Sequence, residues 1–192
     1  MSNIIKSSVV LGRTLEFRNV VVTDAEYIYS LRSDPIKSKF ISKIEKVIEH
    51  QRSWISEYKR SDNQAYFIIK EISTQQSIGT IRIYDPISAP FSSFCWGSWI
   101  LSSEAPSSAA IESALMIYEY GFKHLGFTNS HFDVRKDNNS VWKFHERCGA
   151  KRVAETDIDI FYNLSSSAQR EACKKYSRYL PEGIKVIQKY VY

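Results

Sequence analysis

At 192 residues, 43% hydrophobic and 24% charged, the chain has the make-up of one soluble domain, residues 1–192, with enough mass to bury a continuous core. Its formal charge of +5, from 26 Lys+Arg against 21 Asp+Glu, suits an anionic small ligand but is too small and too dispersed for nucleic acid. No leader-like apolar segment or run of about 18 apolar residues occurs, so the expectation is a cytoplasmic protein without membrane contact. Cys95, Cys148 and Cys173 share no metal-ligand spacing and read as reduced thiols.

Residues 14–22 alternate weakly and predict a first strand. Thr23-Asp24-Ala25-Glu26 has the form of a capping box, opening a helix through Ile28 and Leu31 that Pro35 ends. A second helix is expected over roughly 46–59, with Val47, Trp54, Ile55 and Tyr58 turned inward. The period then changes. Residues 65–72 and 78–84 read as strands of an antiparallel hairpin, and two prolines make 85–93 a loop. Residues 94–101, FCWGSWIL, are nearly continuously apolar, which places that strand in mid-sheet; Gly97 marks a bulge or a close backbone approach.

A polar link at 102–108 leads into a helix reaching about His124, with Ile111, Leu115, Tyr118, Phe122 and Leu125 forming an apolar stripe and Gly126 ending it. Residues 130–150, SHFDVRKDNNSVWKFHERCGA, come next. Phe132 and Val134 share one face of a short strand, with Asp133 and Arg135 on the other. A polar turn then supplies N-cap chemistry, and a helix carrying Val141, Phe144 and Cys148 stops at Gly149. Strand, helix, strand in this order implies a right-handed crossover between parallel strands. A strand at 157–164, a helix at 166–179 and a terminal strand at 184–192 follow; the last could pair across a homodimer.

The order βααβββαβαβ resembles the GCN5-related N-acetyltransferase (GNAT) superfamily over about residues 14–160. Asn138, Val141, Phe144, His145, Glu146, Arg147, Gly149 and Ala150 fit its helix motif, with His145 where the family carries tyrosine. Asp133-Val134-Arg135 is similar to its acidic-V-R strand, Gly97 to Leu101 to the strand that pairs with pantetheine, and Ile111 to Leu115 to the helix opening that follows the pyrophosphate loop. The resemblance leans to the ribosomal-protein-acetyltransferase branch, including amino-sugar-nucleotide N-acyltransferases. Pro106 and Ser108 stand where the pyrophosphate loop of the family has glycine.

That resemblance implies an α/β (α+β) fold: a central mixed, mostly antiparallel sheet of about seven strands flanked by helices, with a splayed parallel pair at the acyl-CoA site. It implies acetyl-CoA or another acyl-CoA as cosubstrate, no metal, and direct attack by an amine. Trp99, Ile100, Leu101, Ser107, Ser108, Ala109, Ala110 and Asn138 are the expected cofactor contacts; His50, Trp54, Tyr84, Trp99 and Phe132 would line the acceptor cleft. His145, with a reference pKa of about 6.5, would protonate the departing thiolate or else is a half-buried helix histidine. Asp133 would be the base, if burial raises its pKa, or else faces solvent or merely orients Arg135 or His145. Glu112 is a base or a dipole partner of its helix. An aromatic-rich cleft suits a flat base or a sugar face better than a flexible acidic peptide, and the similarity of FCWGSWIL and VWKFHERCGA to acyltransferases of amino-sugar nucleotides implies a nucleotide-linked deoxyamino sugar as amine acceptor. The N-terminus of a ribosomal protein, or a non-catalytic CoA-binding role, are the other readings.

Overall fold

The computed structural model describes residues 4–40 and 47–188, which form one nine-stranded sheet in the order β7-β8-β6-β5-β4-β3-β2-β1-β9. The strands are β1 (Val9–Leu11), β2 (Leu15–Asn19), β3 (Ala65–Glu71), β4 (Ser77–Ile87), β5 (Ser93–Leu101), β6 (Asn129–Arg135), β7 (Lys151–Glu155), β8 (Asp159–Ser165) and β9 (Lys185–Ile187). Helices α1 (Ala25–Ser33) and α2 (Ile48–Tyr58) precede β3, α3 (Ala109–Glu119) joins β5 to β6, and α4 (Asn139–Arg147) and α5 (Ser166–Ala172) come later. Every pairing is antiparallel except β5 with β6, the pair expected to be parallel.

The apolar β5 is indeed central, fourth of nine. On one sheet face Phe17, Phe67, Ile81, Ile83, Phe94 and Trp96 pack under α3. On the other, Tyr66 and Ile68 meet Ile28, Ile55 and Tyr58 of α1 and α2. At about 25 cal/mol per Å² of apolar surface, these two layers supply most of the stabilising burial.

Two strands beyond the expected seven were not foreseen, and the reason is physical. β1 is three residues long, and β7 is an edge strand exposed along its whole length, so neither shows an apolar alternation. The capping box is replaced by a different lock: Asp24 accepts from the Val21 N–H (2.8 Å) and pairs with Arg18 (2.7 Å) at a 3-10 turn ahead of α1. β4 runs past its forecast end to Ile87, kinked at Asp85 (φ 51°) beside an irregularity in its pairing with β5, which is where a strand tolerates Pro86. Helix α3 yields after Glu119 to a π-turn, Tyr120–His124, and α5 yields to a 3-10 turn, Cys173–Tyr179. The terminal strand pairs with β1 of its own chain; residues 189–192, and position 46 at the expected start of the second helix, lie outside the described residues.

Candidate active site

β5 and β6 are hydrogen-bonded only at Ser93–Asn129 and Phe94–Ser130, after which they diverge. From Cys95 onward, the edge of β5 that turns away from β4 has no strand partner among the described residues. Ser98 (φ 47°) marks a bulge where the register against β4 shifts, and the adjoining Gly97 faces the Tyr84 hydroxyl. A Cβ on Gly97 would lie 3.1 Å from that oxygen, so the glycine is what allows the approach. Both expectations for Gly97 are met at neighbouring residues.

The splay opens a cleft of about 960 Å³. Of the residues singled out in the sequence, His50, Trp54, Tyr84, Trp99, Phe132, Asp133, Asn138 and His145 all line it. Ile100 is buried in the sheet, and neither it nor Leu101, Ser107, Ser108, Ala109 or Ala110 borders this cleft. The last four open α3, where Ser108 makes no side-chain cap bond. That leaves a helix N-terminus with uncommitted polarity, favourable for an anion.

His145 is the buried residue of α4, 4% exposed. Its ring is enclosed by Phe132 (centroids 4.3 Å), Trp96 (5.3 Å), Phe144 (5.7 Å) and Tyr118 (6.2 Å). The Tyr118 hydroxyl and His145 Nδ1 are 2.7 Å apart. Burial pushes the pKa of His145 down to about 3, and burial raises that of Tyr118 well above the ordinary phenol value, so at pH 7 both are neutral. An imidazole poised near 6.5 is therefore not what this pocket holds, because a dry aromatic shell disfavours its cation. The helix ends in a Schellman motif that fixes the ring's position: Ala150 N–H donates to the His145 carbonyl (3.0 Å) and Gly149 N–H to that of Glu146 (3.0 Å), with Gly149 at φ 92°.

Asn138 occupies the N-cap position of α4, but its side chain makes no cap bond; its carbonyl accepts from Val141 and Trp142 N–H instead. The carboxamide thus stays on the cleft wall. Asp133 is exposed on β6, so the burial on which its role as base was conditional is not met by the fold itself. Glu112 belongs elsewhere. It is 1% exposed and accepts from Thr14 N–H (2.6 Å), Thr14 hydroxyl (2.6 Å) and Leu15 N–H (3.0 Å), clamping the β1–β2 turn to α3.

Sequence reasoning overlooked Arg32, Lys37 and Arg82 as cleft residues and gave Arg135 no binding role. The signal was there for Arg82: in Thr80-Ile81-Arg82-Ile83-Tyr84, strand alternation sets a cation on the same face as Tyr84 in mid-sheet. Trp96 and Tyr118 were read as core and serve also as the shell around His145.

A parallel strand pair that parts over a cleft, followed by a helix N-terminus, fits an extended acyl carrier: β5 offers free backbone groups to an amide-bearing arm, and α3 a site for phosphate. Residues 14–151 match the family model described as acetyltransferase (GNAT) domain, and the chain belongs to the GNAT acetyltransferases, enzymes that use acyl-CoA as cosubstrate. Among solved structures it is similar to apo FdhC, a nucleotide-linked sugar GNAT, at 41% identity over 93% of this chain and 98% of that one, with a TM-score of 0.79. A GCN5-related N-acetyltransferase from Brucella melitensis (13% identity, 93% and 88% covered, TM-score 0.74) shares the fold. So does spermidine N-acetyltransferase from Vibrio cholerae in complex with CoA and spermine (14% identity, 82% and 98% covered, TM-score 0.69). A search of curated proteins gave no significant match. Among the described residues no helix is long and apolar enough to cross a membrane.

Proposed function

We propose that the chain transfers the acyl group of acetyl-CoA or a related acyl-CoA to the amine of a nucleotide-linked deoxyamino sugar, by direct attack in a ternary complex. The observation that carries this is the charge of the cleft. Arg32, Lys37, Arg82 and Arg135 line it, against Asp133 as the one carboxylate among the described lining residues. Such a wall repels polyammonium acceptors and attracts an acceptor that brings its own negative charge. Trp54 and Tyr84 add flat apolar faces suited to a sugar or a base. The 41% identity to a nucleotide-linked sugar GNAT supports the same acceptor class.

The roles follow from the surroundings of each group. The edge of β5 from Cys95 onward and the carboxamide of Asn138 orient the extended acyl carrier, and the N-terminus of α3 with Ser107 and Ser108 takes its phosphates. The Trp96 indole packs edge-on against Tyr118. In this reading the neutral Tyr118 phenol donates its O–H to His145 Nδ1 (2.7 Å), so the neutral ring carries its own proton on Nε2. His145 then acts as a hydrogen-bond donor toward charge that develops at the thioester, rather than as an imidazolium acid. Asp133 accepts the proton of the acceptor ammonium through water, as the bound acceptor covers it.

Thiol release from acetyl-CoA tests the reading against a panel of amino-sugar nucleotides, polyamines and N-terminal peptides. Turnover confined to the amino-sugar nucleotides is expected. A preference for peptides or polyamines would sink it.

A further inference from the structure

Among the described residues, Arg82 is a cleft cation with no carboxylate to answer its charge. Two of the others are committed: Arg135 pairs with Asp159 (3.4 Å) and Lys37 with Asp34 (3.3 Å). Arg82 has no carboxylate partner among the described residues; one terminal nitrogen donates to Gln64 Oε1 (3.2 Å), and its Nε is buried without a hydrogen-bond partner. The guanidinium lies over the Tyr84 ring (4.3 Å) and near that of Trp54 (5.4 Å). These rings hold its plane while leaving its edge for a ligand. Burial draws its pKa below the usual arginine value, and the positive charge of Arg32 acts in the same direction. Two cations near one another, one of them without a counter-ion among the described residues, are costly in a half-buried site until an anion arrives.

Resting on the proposed acceptor, we infer that Arg82, with Arg32 near it, is the residue that binds the diphosphate of the nucleotide-linked acceptor. The fork geometry of a guanidinium suits paired phosphate oxygens, and the stacked rings would restrict how the bound group can turn. CoA also carries a diphosphate. Arg82, however, shares the α1/α2 face of the sheet with Tyr66 and Trp54, whereas the N-terminus of α3 lies on the opposite face. The two anion sites are therefore separate.

The test is calorimetry on the full chain saturated with CoA, titrated with uridine and thymidine diphosphates and with the unphosphorylated nucleosides. Wild type should bind the diphosphates and not the nucleosides. Arg82→Met should weaken diphosphate binding about 10- to 100-fold, and Arg82→Lys, which keeps the charge but not the fork, by an intermediate factor, with CoA affinity unchanged in both. No diphosphate binding to CoA-saturated wild type overturns the inference, as does equal binding by Arg82→Met. Should Arg82→Met not fold, Arg82→Lys and the wild-type titration decide. Amino-sugar nucleotide turnover with kcat/KM unaffected at Arg82 also overturns it, leaving the acceptor class standing. Arg82-dependent diphosphate binding without turnover of any amino-sugar nucleotide does the reverse.

Discussion

The two halves of the cleft, divided where β5 and β6 part, treat charge in opposite ways. Under α3 and α4 the wall is neutral and dry: His145, Trp96 and Phe132 are all at least nine-tenths buried, and the one titratable ring on that wall is held uncharged. Under α1 and α2 the wall is half-exposed and cationic, and Asp133 stands open to water. Under the proposed function the contrast separates two tasks. A thioester carbonyl gains most from a fixed N–H donor in a low dielectric, where a hydrogen bond to developing charge is strongest. An anionic acceptor needs long-range attraction and a wet path for the ammonium proton, which a dry wall would forbid.

If that division is right, substitutions on the two walls should move different kinetic constants. His145→Ala should lower kcat by about 100- to 1,000-fold with little change in the acceptor KM, whereas His145→Gln, which keeps an N–H donor, should recover part of the rate. Steady-state kinetics with both substrates varied would read this; an unchanged kcat would return His145 to a packing role. Across the splay, Trp54→Ala should raise the acceptor KM by about 10-fold and leave the acyl-CoA KM alone. A drop in kcat of equal size would erase the distinction between the walls.

The third prediction concerns stability. Above pH 6.5 the His145 ring is neutral in folded and unfolded chains alike. Between 6.5 and about 3 the unfolded ring takes up a proton that the folded ring refuses. The native state therefore loses stability as pH falls through that window. In urea denaturation, His145→Phe should lose less than wild type between pH 6.5 and 5, by roughly 1–2 kcal/mol; parallel losses would mean that the folded ring protonates freely. Smallest of all, Asn138→Ala should raise the acyl-CoA KM about 2- to 10-fold, the worth of one neutral hydrogen bond, and leave the acceptor KM unmoved.

How much of this could be seen in the sequence depended on whether a residue announces itself by pattern or by company. β5, α4 and the crossover between β5 and β6 were legible because an apolar run, a capped amphipathic helix and a closing glycine are local signals. The neutral state of His145 was not, since its shell comes from Trp96, Tyr118 and Phe132 on three other elements. Nor was the fate of Glu112: three donors from the β1–β2 turn, about a hundred residues away in sequence, turned a candidate base into a clamp. Arg82 fell between. Its place in a strand was readable, but that no carboxylate among the described residues answers it is a fact of three dimensions.

The bulge at Ser98 has a further meaning when counted as parity. In an unbroken strand, residues an odd number apart face opposite ways. Trp96 and Trp99 are three apart, yet their rings lie 5.4 Å from one another, and the Trp99 Nε1–H donates to Ser113 on α3 (3.1 Å). The extra residue flips the rest of β5 inside out, bringing a second indole to the dry wall. Deleting a single residue there would restore the alternation and send Trp99 through the sheet. Length at one position, rather than any side chain, thus decides which face of the sheet carries that ring.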